Sequence, residues 1–459
     1  MIKNANKISA KQWDIEYKKL VCRGKIDPEK IKPIFWFIEN DDDLILQDLQ
    51  FDSSLECLKL WNFLLTENCR LRQARREGKK IVGTMKDLGT IPVLAYCYPE
   101  IVAFYPDGAW WIPCVMKMSD GLFAYADSLG ITDAYCPVRT MIGAFENDEH
   151  FPKPDLLISS AGAICDDFSA IAQAVENNGN PILWWEIPHS SSSISGEGAI
   201  KISPDQSVPI HLFDCVKSEI IRIKNALNKL ADREISDLEI ARGIKKANEI
   251  RKILRQLRDT VYSAEFPPIP ALEMLIAEML AIHYCSDQNM TLEILKDLLS
   301  LTNSRLENSA HISEDKAVRV FWINPVADLS AMNLLEKVGG QLAGTDFMFG
   351  HAIDPIPENC EPINALAKMA LADPMVGSAT NRADKIAANI KKYNAQAVVI
   401  SRIPGASHCA TEGAIIREVL SKKADIPIVE IEIPPISSTM SAALETRLSA
   451  LIETAKANC

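Results

Sequence analysis

Cys136, Cys165 and Cys409 each fall in a short loop where a strand-like run gives way to a helix-like one. Three thiolates gathered from such loops are soft ligands for zinc or for an iron–sulfur cluster. A tetrahedral zinc site would take its fourth ligand from His408, the neighbour of Cys409. A [4Fe–4S] cluster held by three cysteines would keep one iron open to a substrate oxygen, so that one atom serves as Lewis acid and electron donor. Cys97 has two readings, a fourth ligand or a core thiol; Cys114 and Cys360 are secondary candidates. His189, His408 and Glu412 are candidates for moving protons. Their plain alternatives are an exposed imidazole beside a serine loop, loop packing, and a first-turn acid favoured by the helix dipole. Arg139, next to Cys136, would raise a cluster potential, reach an acyl-CoA or form a structural salt bridge.

The elements that carry these cysteines are duplicated. Asp155-Leu156-Leu157-Ile158-Ser159-Ser160 predicts a buried strand, Cys165 follows in a small-residue loop, and after a helix the passage closes on Pro181-Ile182-Leu183-Trp184-Trp185-Glu186-Ile187-Pro188. In the second copy the strand is Ala397-Val398-Val399-Ile400-Ser401, the loop cysteine is Cys409, and the close is Pro427-Ile428-Val429-Glu430-Ile431-Glu432-Ile433-Pro434. Both closes fit Pro-Ile-(Leu/Val)-x-x-Glu-Ile-Pro. Upstream, Gly130-Ile131-Thr132-Asp133-Ala134-Tyr135-Cys136 reads as the counterpart of Gly344-Thr345-Asp346-Phe347-Met348-Phe349, with an aromatic residue where the first copy has its cysteine. Ligands of open α/β sheets gather outside the carboxyl ends of the strands, and all three cysteines fall there.

Short apolar runs alternating with helical patterns predict an α/β fold of two Rossmann-like lobes with parallel sheets. The expected division is an N-terminal helical segment over 1–85, a first α/β lobe over 86–213, a helical insert over 214–312, and a second α/β lobe with a C-terminal helix over 313–459. Ile91-Pro92-Val93-Leu94-Ala95 reads as a strand and Glu100-Ile101-Val102-Ala103-Phe104 as helical; Pro267-Pro268-Ile269-Pro270 interrupts the insert. The basic cluster Arg70, Arg72, Arg75, Arg76, Lys79 and Lys80 is a solvated helix face or a docking face for an acidic partner or a CoA phosphate. The run Glu39-Asn40-Asp41-Asp42-Asp43 reads as a solvated loop or helix start, and Gly339-Gly340 lacks the glycine order of a dinucleotide site.

The formal net charge of −12 and pI near 5.2 argue against nucleic acid as the main partner. No apolar run reaches the length of a membrane span, and the start of the chain has no signal-peptide pattern, so a cytoplasmic location is expected. In that reducing compartment the 12 cysteines stay free thiols, and no C-x-x-C pair occurs. Cys57, Cys69, Cys215 and Cys285 lie in helical patterns and are expected in the core, Cys459 at the exposed terminus.

Tyr135-Cys136-Pro137-Val138-Arg139, Ile164-Cys165-Asp166-Asp167, and the Cys409 to Glu412 helix leading into Ile426-Pro427-Ile428-Val429-Glu430-Ile431-Glu432 form an ordered set. With Pro99-Glu100-Ile101 before them and Glu445-Thr446-Arg447-Leu448-Ser449-Ala450-Leu451-Ile452-Glu453 after, the set resembles catalytic-component subunits of the 2-hydroxyacyl-CoA dehydratase and benzoyl-CoA reductase family. The resemblance runs from about residue 80 to 455. It implies a [4Fe–4S] cluster, a homologous second subunit in a heterodimer, an ATP-dependent iron–sulfur activator protein and an acyl-CoA substrate. It also implies anaerobic one-electron chemistry through a ketyl radical anion. In the dehydratase branch that species expels a 2-hydroxyl group, the outcome expected here; in the reductase branch it leads to ring or double-bond reduction. A further branch holds a double-cubane cluster and reduces small molecules. The chain departs from many dehydratase subunits in having no cysteine at Pro374-Met375-Val376, and Ile187-Pro188-His189-Ser190-Ser191-Ser192-Ser193 matches no single branch. The rival readings are a two-lobe binding or scaffold protein with incidental thiols, and a zinc enzyme.

Overall fold

The computed structural model describes residues 7–33, 49–108, 119–148, 150–190, 197–283, 286–310, 316–435 and 441–458. The side chains of His283, Ser407, Cys409, Ala410 and Ser441 lie outside this description, as do the acidic run 39–43, Cys114, serines 191–193, Cys285 and Cys459.

Among the described strands, β1 (Lys7–Ser9) and β2 (Gln50–Asp52) pair antiparallel. The first parallel sheet comprises β3 (Lys80–Met85), β4 (Ile101–Phe104), β5 (Leu156–Gly162) and β6 (Ile182–Ile187), in the order β4-β3-β5-β6. The hairpin-like pair β7 (Ala199–Lys201) and β8 (Ser207–Pro209) follows. The second parallel sheet repeats the order of the first, β10-β9-β11-β12, from β9 (Val318–Ile323), β10 (Gly340–Asp346), β11 (Ala397–Arg402) and β12 (Ile428–Glu432). The central strands are buried along nearly their whole length, as strands covered by helices on both faces must be. The α/β class is therefore as expected.

The duplication reaches individual bonds. Ser160 Oγ at the end of β5 donates to the carbonyl of Lys86, just past β3. Ser401 Oγ at the end of β11 stands 2.9 Å from the carbonyl of Asn324, just past β9. Lys86 and Asn324 both leave their strands with positive φ, 58° and 64°. Each lobe thus ties the end of its central strand to the next strand with one serine.

Several elements differ from expectation. Residues 90–95 form the helix Thr90–Ala95, and the strand is the later run, β4. Short apolar runs do not distinguish the two. The Asp87 carboxylate decides, accepting from the amides of Gly89 at 3.3 Å and Ile91 at 2.5 Å, while Pro92 is tolerated in a first turn. The segment expected to be helical up to residue 85 also holds β1, β2 and β3, beside the helices Ala10–Cys22, Leu55–Leu65 and Glu67–Arg76. The pre-cysteine match also shifts. Because β10 occupies the place of β4, Gly344-Thr345-Asp346 is a strand end and not the partner of residues 130–136. Cys136 lies between the helices Asp120–Ser128 and Thr140–Asn147. In the second lobe the same interval, between Pro362–Ala372 and Ala379–Lys392, is residues 373–378.

The insert contains the helices Ile210–Ala231, Asp237–Ser263, Ala271–His283 and Gln288–Glu307. Along Asp237–Ser263 the buried Ile240, Ile244, Ala247, Ile250, Leu254, Leu257 and Val261 recur at three- and four-residue spacing. Burying each large aliphatic side chain contributes about 1.5–3 kcal/mol. Arg258 on the same helix reaches Glu278 at 2.7 Å and the Thr345 carbonyl at 3.1 Å, fastening the insert to β10. The basic cluster is largely spoken for: Arg70 lies over the Phe63 ring at 3.9 Å, Arg72 donates to the Asp148 carbonyl and Arg75 to that of Lys153. Cys57 is buried, but Cys69 and Cys215 are exposed, because their helices turn those positions away from the core.

Candidate functional site

Cys136 enters the site from an extended backbone, φ −51° and ψ 142°, which the following Pro137 enforces; Pro137 then starts the 310 turn Pro137–Arg139. Cys165 sits at the N-cap of Asp166–Asn177, whose first turn carries Asp166 and Asp167. The residue before it, Ile164, holds φ 95°, a conformation that a β-branched side chain adopts only under strain. Cys136 and Cys165 line one cavity of about 80 Å³ together with Lys86, Asp107, Phe349 and His408. First lobe, insert and second lobe all contribute to its wall, the insert through Ile282.

His408 and Cys409 lie in the first turn of the helix Ser407–Lys423, entered through residues 403–406. Gly405 in that loop has φ 76° and packs directly against the backbone of Tyr135 and Cys136. The second-lobe loop and the first-lobe cysteine loop therefore touch through backbone atoms. His408 is buried in the cavity wall; burial, then the nearby Arg382 and His351 cations, push its imidazole down to about 3. Lys86 donates to Ser169 Oγ at 2.7 Å, and burial lowers its ammonium from the usual range despite the proximity of Cys165.

A second cavity, of about 550 Å³, shares the wall residues Asp87, Leu88 and Ile164 with the first. Arg251, His351, Lys368 and Lys385, and of opposite sign Asp87, Asp205, Asp354 and Asp373, supply charge to its lining. Arg251 is buried and donates to the Asp354 carbonyl at 2.7 Å. His351 is gripped by Asp346 at 3.0 Å and Asp373 at 3.4 Å; burial pulls its imidazole down, but the carboxylates prevail and raise it to about 9. Arg382 joins Asp346, Asn324 and Glu412 at 2.6–2.8 Å. None of these residues except Glu412 stood out in the sequence, where nothing marks a charge that will be buried.

The other sequence candidates lie apart from the thiol cavity. Cys97 lines neither cavity: its sulfur donates to the Val93 carbonyl at 3.3 Å and fits against Gly243, where any Cβ would collide with it. Burial and, less, Glu239 push the Cys97 thiol up to about 12. It should therefore resist iodoacetamide at pH 8 in the native protein while exposed Cys22 and Cys69 react, since only about one molecule in 10⁴ is thiolate there. Mass mapping that finds Cys97 alkylated alongside them would contradict this packing. His189 is exposed beyond β6 and lines neither cavity. Glu412 lies in the second turn, not the first, because the helix begins at Ser407; its carboxylate holds Arg382. Arg139 stacks over Phe123 at 4.5 Å and pairs with Asp127 at 3.4 Å, its structural reading. Cys360 is partly exposed in the loop before Pro362–Ala372.

Among the described side chains no group of three or more His, Cys, Asp and Glu is set to hold a metal ion, and Cys409 is not among them. The donor chemistry of the thiol cavity nevertheless fits an iron–sulfur group: two thiols in an enclosed, mainly apolar wall, with the third cysteine's backbone one residue from His408. No described helix is long and apolar enough to cross a membrane. No curated protein matches the chain. The family described as 2-hydroxyglutaryl-CoA dehydratase, D-component, matches residues 97–455, an interval that takes in all three cysteine loops, the insert and the whole second sheet. The chain belongs to this family of dehydratase enzymes.

Proposed function

We propose that the chain is an iron–sulfur subunit of a 2-hydroxyacyl-CoA dehydratase, with Cys136, Cys165 and Cys409 holding one [4Fe–4S] cluster. The observation that carries this reading is the shared wall: the thiol cavity and the 550 Å³ cavity meet at Asp87, Leu88 and Ile164. The larger volume lies in the range of small-molecule sites. When bound, the cluster supplies single electrons and a Lewis-acidic iron. The larger cavity holds the acyl end of the substrate. Lys368 and Lys385 make no ion pair among the described residues and offer their charge to the anionic CoA arm. Apolar Ile164, Ile187 and Met369 exclude water from the reacting end, which strengthens the field of the polar groups around it. His408 stays neutral at the cavity wall, where its lowered proton affinity suits hydrogen bonding to a bound group rather than proton uptake. A homologous second subunit and an ATP-dependent iron–sulfur activator complete the system, and the compartment is cytoplasmic.

Anaerobic purification with metal and sulfide analysis tests this. About four irons with matching sulfide per chain are expected, with most of the iron lost in Cys136→Ala, Cys165→Ala and Cys409→Ala and kept in Cys57→Ala and Cys97→Ala. Stoichiometric zinc, or full iron in two of the three ligand variants, would sink the assignment. With partner and activator added, 2-hydroxyglutaryl-CoA is the first substrate to assay; reduction without loss of water would favour a reductase.

A further inference from the structure

Asp107 is a carboxyl group in the wall of the thiol cavity that no role described so far employs. It follows β4 by three residues and is only partly buried, yet its Oδ1 atom is sealed from solvent and has no hydrogen-bond partner among the described residues. An unpaired buried carboxylate oxygen costs about 1–3 kcal/mol or more, so an oxygen kept there without a bond calls for an explanation. The twin lobe also has an aspartate at the end of the matching strand, but a partnered one: Asp346, the last residue of β10, is held by Arg382 at 2.6 Å and His351 at 3.0 Å. In the first lobe Asp107 Oδ1 has no such partner among the described residues.

We propose that Asp107 is the proton carrier of the thiol cavity. This rests on the dehydratase reading above. Loss of water removes a hydroxyl from C2 of the acyl group and a proton from C3. When the C2–O bond breaks with its electron pair on oxygen, the carboxyl proton of Asp107 joins that oxygen and water leaves. Asp107 remains as carboxylate and must regain one proton per turnover, which the proton released from C3 balances overall.

Burial first, with help from the Glu67 and Asp87 carboxylates, raises Asp107 to about 7, against the pull of its own backbone amide and that of Gly108. Glu67, buried at the start of Glu67–Arg76, is raised by burial to about 7 as well, with Arg70 and Ser286 opposing. Asp87 does not share this task, because its oxygens are engaged by Tyr105 at 2.6 Å and by the Gly89 and Ile91 amides. The remaining titratable or charged groups in the wall are Lys86, Tyr105, Cys136, Cys165 and His408.

The test uses the iron-loaded complex with partner and activator, and the variants Asp107→Asn and Asp107→Glu. Asp107→Asn should keep its iron, lower kcat on 2-hydroxyglutaryl-CoA about 100-fold with KM nearly unchanged, and remove an infrared carboxyl band that titrates near neutral pH in the parent protein. Asp107→Glu should recover part of kcat. Full kcat in Asp107→Asn, iron lost in step with activity, or no such band in the parent protein overturns the proposal. An iron-loaded parent complex that dehydrates no 2-hydroxyglutaryl-CoA overturns the dehydratase reading and this step with it. Failure of the proton carrier alone shows instead as an active parent whose Asp107→Asn variant is indistinguishable.

Discussion

Replacing Gly405 by alanine is expected to cost about 2–5 kcal/mol of stability and to part the two cysteine loops. The left-handed backbone at φ 76° accounts for roughly 1–2 kcal/mol of this in any residue with a Cβ. The rest comes from collision. The new Cβ would strike the carbonyl group of Tyr135 and lie 2.8 Å from the Cys136 amide nitrogen. Both are backbone atoms, with no flexible side chain to yield, so one loop must move, and overpacking of this kind costs about 1–3 kcal/mol. Denaturant unfolding should show the loss, and iron content after anaerobic purification should fall with it. Gly24→Ala is the control, because its φ is 67° but no atom stands within 4 Å; it should lose only the backbone share. Equal losses in the two variants would mean that the lobes do not meet at Gly405.

The second large effect concerns Arg382, buried among Asp346, Glu412 and Asn324. Arg382→Met should destabilise the protein by about 3–5 kcal/mol, because it leaves two carboxylates without their cation. Burial raises the Asp346 carboxyl, but Arg382 and His351 outweigh it and hold the group well below the usual carboxylate range. His351 gives the network a pH signature. Its affinity is raised from 6.5 to about 9 in the fold, so its stabilisation is complete below pH 6.5 and is lost as pH rises through about 9. The loss across that window should be about 3 kcal/mol. His351→Gln should start less stable near pH 6.5 and show a flatter curve up to pH 10. Parallel curves for parent and variant, by denaturant unfolding at each pH, would remove His351 from this account.

This network also shows what a sequence hides. Asp346, His351, Asp373, Arg382 and Glu412 span 67 residues and sit on a strand end, a 310 turn, a loop and two helices. Each alone reads as an ordinary polar residue, and only burial turns them into a coupled unit.

By itself the sequence determined the repeated unit. Five of the eight strands of the two parallel sheets, β5, β6, β9, β11 and β12, are apolar runs of five to seven residues bounded by turn signals. The insert helices carry sustained three- and four-residue spacing, and the closes after Cys165 and Cys409 are identical at five of eight positions. Local pattern suffices there because each element buries one long apolar face. The tertiary structure decided the rest. Residues 90–95 became a helix because Asp87 caps it, and β1 paired with β2 across about 40 residues, which no local signal records. Cys136 and Cys165 line one cavity, while Cys97, as plausible by spacing, packs against Gly243. Asp107 differs from other aspartates only in the water it lacks. Where a side chain ends up relative to solvent and to another lobe is set by packing between distant elements, and so spacing along the chain could not fix it.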